Sequence, residues 1–187
     1  MAAVAPKLAP FLLVRHAESP WSPDEGRPLS QAGLAAADEL AERLSGFDIA
    51  AIHCSPYPRA QQTIAPLARR TGMAITTDNE LRERPFGAFA PMTYADAARA
   101  AWQNLDAAWP GGESPRAAQQ RIVRFTEAIA ASRPGRPVVL STHGNLLALL
   151  LNAFDARVGY QFWNALRFPD AFILEVRGPG SAFFSRI

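Results

Sequence analysis

Three short apolar runs constrain the fold of this chain more than any other feature. They are Phe11-Leu12-Leu13-Val14, residues 49–54, and Val138-Val139-Leu140 running into Ser141-Thr142. Each has the length of a strand, and none alternates polar with apolar positions. A strand of that kind is covered on both faces, which is the environment of a parallel sheet whose crossovers are helices.

The intervening segments supply those helices. Ser30 reads as an N-cap, after which Leu34, Ala37, Leu40, Ala41 and Leu44 recur at helical spacing as far as Gly46. Pro58 suits the first position of a second helix that reaches Arg70, with Gly72 as its C-cap. Residues 74–77 read as a third strand. Ser114 and Pro115 open a helix carrying Ile122, Val123, Phe125, Thr126 and Ile129, and Pro134 to Pro137 break it. An apolar helix over residues 145–154 and a short one over 160–166 follow, then strands over 171–176 and 181–185. This alternation predicts an α/β fold, a three-layer α/β/α domain with a mainly parallel central sheet.

Residues 87–112 depart from the pattern. They hold Phe89, Tyr94, Trp102 and Trp109, with Pro91 and Pro110 near the ends. The stretch reads as a short helical insertion, about residues 88–111, within a single domain spanning 1–187. Trp102 and Trp109 are seven positions apart and are expected to share a helical face, packed in the core or, as the lesser alternative, stacking on substrate.

Composition narrows the function. A net charge of +2 from 19 basic and 17 acidic residues, with Lys7 the only lysine and no run of like charge, gives no nucleic-acid-binding tract. Cys54 is the one cysteine, so there is no intrachain disulfide. The apolar stretch from Leu8 to Val14 is too short to cross a membrane and lacks a small-residue cleavage site. The expectation is a cytoplasmic enzyme without nucleic-acid or membrane partners; the oligomeric state stays open.

Ligands of such sheets bind beyond the carboxyl ends of the strands. There the sequence places Arg15-His16-Ala17-Glu18-Ser19, then Ser55-Pro56-Tyr57-Pro58-Arg59-Ala60, then Leu81-Arg82-Glu83-Arg84, and finally Thr142-His143-Gly144-Asn145. Two histidines, two arginines and a glutamate therefore converge on one rim. Each has work in phosphoryl transfer. Arg15 and Arg59 can clamp the anionic oxygens through planar forks, and His143 can add a hydrogen bond. A neutral His16 can attack phosphorus. Glu83 can protonate the leaving oxygen and then activate water. Arg59 near a helix start, where the dipole favours anions, suggests an anionic ligand. The three histidines lack metal-ligand spacing, so neither a metal nor another cofactor is expected.

These segments resemble the histidine phosphatase (phosphoglycerate-mutase-like) superfamily. Residues 13–19 resemble its Arg-His-Gly signature, with Ala17 in place of glycine. Ser55 to Thr63, Leu81 to Gly87, Gly111-Gly112-Glu113-Ser114, Thr142-His143-Gly144 and Phe168-Pro169-Asp170-Ala171-Phe172 match in order. The resemblance implies that His16 is the phosphohistidine nucleophile. Arg15, Arg59 and His143 would hold the phosphoryl oxygens, and Glu83 would be the general acid. Family members often have a phosphate-touching asparagine where this chain has Ser22, so Ser22 is a candidate substitute of shorter reach. Arg84 is a candidate contact beyond the phosphate.

The function implied is a metal-independent phosphomonoester hydrolase for a small phosphorylated substrate, with a phosphoprotein as an open alternative and the insertion covering the active site. A cysteine mechanism fits poorly, because only four residues separate Cys54 from Arg59 and two are prolines. A phosphoglycerate mutase-type phosphotransferase is a second alternative, weakened because Arg99 is the only basic residue of the insertion. A non-catalytic phospho-ligand-binding module is a third, though His16, Glu83 and His143 are all retained. Glu113 reads as a helix-start acid, and His53 as a core residue.

Overall fold

The computed structural model describes residues 10–132, 135–178 and 181–187, without the side chains of 177 and 178. Lys7, Leu8 and Pro134, on which the sequence reading drew, lie outside them. Strands β1 (Phe11–Arg15), β2 (Ala51–Cys54), β3 (Ile75–Thr77), β4 (Val138–Thr142), β5 (Asp170–Gly178) and β6 (Ser181–Arg186) form one sheet in the order β3-β2-β4-β1-β5-β6. The pairs β2–β3, β2–β4 and β1–β4 are parallel, while β5 runs antiparallel to both β1 and β6. The sheet is therefore mixed, with only β5 reversed.

The central strands alternate between two cores because successive side chains leave a strand on opposite faces. Phe11, Leu13, Val138 and Leu140 enter one cluster, whereas Leu12, Val14 and Val139 enter the other. Helices α1 (Gln31–Leu44) and α2 (Pro58–Thr71) cover the second face through Leu40, Leu44, Ile64 and Leu67. Helices α4 (Pro115–Ser132) and α5 (Gly144–Asn152) cover the first. Every residue from Gly144 to Leu151 is buried, so α5 is apolar all round. Each of its leucines contributes about 1.5–3 kcal/mol by leaving water.

Two short helices, α3 (Tyr94–Gln103) and α6 (Tyr160–Asn164), pack against each other and, through Trp102, Phe162 and Trp163, against the first core. The segment carrying α3 is pinched at its base. Ala88 N–H donates to the Pro110 carbonyl at 2.9 Å, and Glu113 N–H to that of Pro85 at 2.9 Å. The two strands of this neck touch so closely that a Cβ on Gly112 would lie 2.4 Å from the Phe86 carbonyl oxygen. Gly87 also needs its φ of +78°, which side-chain-bearing residues rarely adopt.

The shared helical face of Trp102 and Trp109 is corrected. Helix α3 ends at Gln103, so only Trp102 packs on the core. Trp109 lies in the return loop, its ring 6.2 Å from that of Phe86 with 12° between their planes.

Topology determines where the site forms. β1 leads to α1 on one face, and the neighbouring β4 leads to α5 on the other. Chains that diverge from adjacent parallel strands leave a crevice at the strands' carboxyl ends. Arg15 pairs in register with Thr142, so His16 and His143 are the first residues past the ladder on each side of that crevice.

Candidate active site

His16 is fixed as one tautomer. Its N–H donates to the Thr142 carbonyl at 3.0 Å, which continues the sheet by one bond. Its Nδ1 lies 2.7 Å from the Ala17 carbonyl oxygen. A carbonyl can only accept, so Nδ1 carries the hydrogen and Nε2 keeps a free lone pair. Burial lowers the pKa to about 3, with help from the guanidinium groups of Arg59, Arg15 and Arg27 and against the Ala17 hydrogen bond. The ring is therefore neutral, with an unprotonated Nε2.

His143 faces it, ring centroids 5.2 Å apart and edge to face. It is fully buried, and its pKa is also well below the ordinary value, first through burial and then through His16 and the same three arginines. Its Nε2 lies 2.7 Å from Ser55 Oγ, while the buried Nδ1 has no protein partner. Ser55 Oγ also accepts a 3.3 Å bond from Tyr57 N–H; when its own hydrogen goes to Nε2, the histidine hydrogen sits on Nδ1.

Three arginines surround the pair. Arg15 donates to the Leu166 carbonyl at 2.8 Å and lies 3.4 Å above the centre of the Phe168 ring. Arg59 donates to the Glu25 carbonyl at 2.9 Å and covers Tyr57 at 4.6 Å. Burial lowers both pKa values to about 10, so both guanidinium groups remain charged at neutral pH. Thr63 aligns the strand end with the helix, since its Oγ1 accepts Ala17 N–H at 2.8 Å and donates to the Arg59 carbonyl at 2.7 Å. The third arginine, Arg27, is absent from the sequence-based set. It is held by the Ser22 carbonyl at 2.9 Å and is near enough to act on His16, His143 and Arg59.

Among the described residues, five buried polar nitrogens of this neighbourhood have no hydrogen-bond partner: Nε of Arg15, Arg27 and Arg59, Nη2 of Arg84 and Nδ1 of His143. Unpaired buried donors are costly. Their concentration here, with three cations beside two neutral imidazoles, suits an anion with several oxygens.

Glu83 is placed beside the α5 N-terminus. Its oxygens accept the N–H groups of Arg84 at 2.9 Å, Asn145 at 3.1 Å and Leu146 at 3.2 Å. It acts electrostatically on Arg15, Arg59 and Tyr94, so it faces the cluster. Its loop is tied to β4 by Thr142 Oγ1, which donates to the Leu81 carbonyl at 2.7 Å. Arg121 anchors it from α4, bonding the Glu80 and Arg82 carbonyls and pairing with Glu113 at 2.7 Å. Glu113 thus has the structural place expected of it.

Two other candidates are placed less directly. Arg84 is 1% exposed and committed to Asn145 Oδ1 and the Glu113 carbonyl, so only Nη2 is free for a ligand. The Ser22 hydroxyl accepts Asp24 N–H at 3.2 Å, and its carbonyl positions Arg27. The hydroxyl keeps its own hydrogen to donate, as the candidate role in place of the asparagine requires.

Cys54 points into the α1/α2 core, and burial pushes its thiol up to about 12, which removes the nucleophile a cysteine mechanism needs. His53 is buried but not apolar in its contacts, with Nδ1 2.7 Å from Asp78 Oδ2. Among the described residues no group of three or more His, Cys, Asp or Glu could hold a metal, and no helix is long and apolar enough to cross a membrane.

Known proteins resemble this chain in sequence and in fold. The sequence model for the histidine phosphatase superfamily (branch 1) matches residues 11–183. The chain is 31% identical over 190 residues to the bifunctional protein Rv2228c of Mycobacterium tuberculosis, covering 92% of this chain and 51% of that protein. It is 36% identical over 138 residues to glucosyl-3-phosphoglycerate phosphatase of the same organism, covering 65% and 61%. The chain thus spans about half to three fifths of the length of these curated relatives. Among solved structures, mycobacterial glucosyl-3-phosphoglycerate phosphatase superposes with a TM-score of 0.77 at 26% identity, covering 96% of this chain and 97% of that one. Bacillus stearothermophilus YhfR gives 0.76 at 27% identity, covering 95% and 96%.

Proposed function

The chain belongs to the histidine phosphatase superfamily, branch 1, and from that premise we propose that it hydrolyses phosphate monoesters without a metal, through a phosphohistidine formed on His16. The observation that carries this reading is the Nδ1 hydrogen bond to Ala17, which leaves Nε2 unprotonated beside His143 and three arginines.

In the first step Nε2 of His16 attacks phosphorus in line and the bond to the ester oxygen breaks. Arg15, Arg59, Arg27 and His143 Nδ1–H hold the phosphoryl oxygens, where developing charge is best stabilised. Glu83 gives a proton to the departing oxygen. In the second step Glu83 takes a proton from water, the water oxygen attacks phosphorus, and His16 leaves as the neutral ring. Orthophosphate and an alcohol are the products.

The substrate is read as a small phosphomonoester. The relatives include both phosphatases and phosphoglycerate mutases, and the preference for hydrolysis rests on an insertion whose only basic residue is Arg99. Action in the cytoplasm belongs to the same reading. The test is phosphate release from sugar phosphates, phosphoglycerates, nucleotides and phosphopeptides, with His16→Ala as control and phosphoglycerate interconversion assayed alongside. Release by the wild type alone, unchanged by chelator, supports the reading. Interconversion without release favours the mutase, and activity restored only by a divalent ion contradicts metal independence.

A further inference from the structure

Tyr94, the first residue of α3, belongs to none of the motifs that assemble the phosphoryl site. It nevertheless links the two sides of the mouth. On one side its ring lies 4.9 Å from that of Phe86, three residues beyond Glu83, and Phe86 in turn lies 3.9 Å below the Arg84 guanidinium. On the other side it lies 6.4 Å from Trp163, in the helix that leads to Leu166, whose carbonyl holds Arg15. Phe89 adds a third ring at 6.1 Å.

The electrostatics place the phenol in the same position. It responds to Glu83, Arg84, Arg15 and Arg27 together, and burial with the Glu83 carboxylate pushes it up to about 12. It is thus a neutral group beside the charged cluster. Even so, 51% of the residue's surface is exposed, so its aromatic neighbours leave part of it open.

The chemistry around it is flat and apolar. Phe86 and Phe89 adjoin it, Trp109 packs against both of those rings, and Phe168 lies under the Arg15 guanidinium. Arg99, the insertion's one cation, sits over the Tyr160 ring at 5.3 Å, away from this wall. Arg84 has a single nitrogen to spare.

We propose that Tyr94 is a specificity-determining residue of the outer site, its ring stacking on a planar apolar group next to the ester oxygen, so that aryl phosphomonoesters are preferred to small alkyl ones. The inference rests on the phosphomonoester reading above and narrows its substrate class. Offset stacking of one ring is worth about a three- to tenfold gain in affinity.

Calorimetry with two non-hydrolysable probes separates the questions. The wild type is expected to bind benzylphosphonate about tenfold more tightly than methylphosphonate. Tyr94→Ala should reduce that ratio to about twofold or less, and Tyr94→Phe should keep it, since the ring and not the hydroxyl makes the stack. A wild type without the preference, a Tyr94→Ala protein that retains it, or no binding of either probe overturns the inference. Phosphate release from phenyl phosphate is measured in parallel. Its absence with the binding ratio intact sinks the hydrolase reading alone, and a lost ratio with intact release sinks the Tyr94 assignment alone.

Discussion

Ser55 Oγ lies 2.7 Å from Nε2 of His143, and the opposite ring nitrogen has no protein partner. A serine hydroxyl that donates to Nε2 places the hydrogen of this wholly buried imidazole on Nδ1, from which it can donate to a phosphoryl oxygen. Ser55→Ala removes that control and leaves Nε2 buried without a donor. The expected result is a fall of about tenfold in kcat/KM, as for one lost hydrogen bond in a buried network. Steady-state kinetics on any accepted ester checks it; unchanged kcat/KM would show that His143 is oriented by something else.

Arg27 supplies positive charge from the loop between β1 and α1, with Nε unpartnered and the Ser22 carbonyl holding Nη1. Loss of such a donor in a desolvated site commonly costs about 10²-fold or more in turnover. Arg27→Ala is expected to do the same here while changing the thermal midpoint little, since the residue is half-buried in a loop outside the helices and strands. Because Arg27 also lowers the His16 pKa, the variant should titrate His16 at a higher pH than the wild type. Kinetics and imidazole NMR read the two effects separately.

Gly144 is needed for space, since a Cβ at this position would lie 2.8 Å from Arg15 Nε. The guanidinium is trapped between Phe168 and the Leu166 carbonyl and cannot simply swing away. Gly144→Ala is thus expected to displace Arg15 and lower kcat/KM by about 10²-fold, the scale of an ångström-sized misplacement in a site of this kind. Stability should change little, because alanine suits a helix better than glycine. Substantial unfolding with unaltered specific activity would contradict this.

The histidines also make stability depend on pH. In the unfolded chain a histidine gains a proton near pH 6.5. Folded His16 does so only at about 3, and folded His143 is likewise depressed. Between these limits the unfolded state binds more protons, so their contribution is complete above about 6.5 and is lost as pH falls toward 3. Urea midpoints should decline from pH 7 to pH 4. Substituting either histidine by an uncharged residue should flatten the slope, and an equally steep decline in both variants would assign it to other groups.

The rim of the candidate site was legible because strand ends are. Arg15, His16, Thr142 and His143 follow unbroken apolar runs, and a parallel sheet brings such ends together whatever the loops do. Thr63 and Ser55 came with a recognisable segment, although only the coordinates show that one bridges Ala17 to Arg59 and the other orients His143. Arg27 and Tyr94 were not legible as site residues. Both lie outside the strand ends, and their positions depend on how a loop and an inserted helix fold back, which no periodicity encodes. Trp109 misled for a related reason: seven-residue spacing implies a shared face only while the helix lasts, and α3 ends at Gln103. The Ser22 carbonyl, which holds Arg27, is a contact that comparing side chains by type could not show.

The central claim is that His16 takes the phosphoryl group, and it can be read from mass. Rapid mixing with an accepted ester, quenching in denaturant at alkaline pH and peptide mapping should show one added phosphoryl group on the peptide containing His16. The label should be stable to base and lost in acid. It should be absent from His16→Ala and persist longer in a Glu83→Gln variant, which is slow to activate water. A phosphoryl group on Cys54 or on His143, or turnover by His16→Ala, would contradict the account.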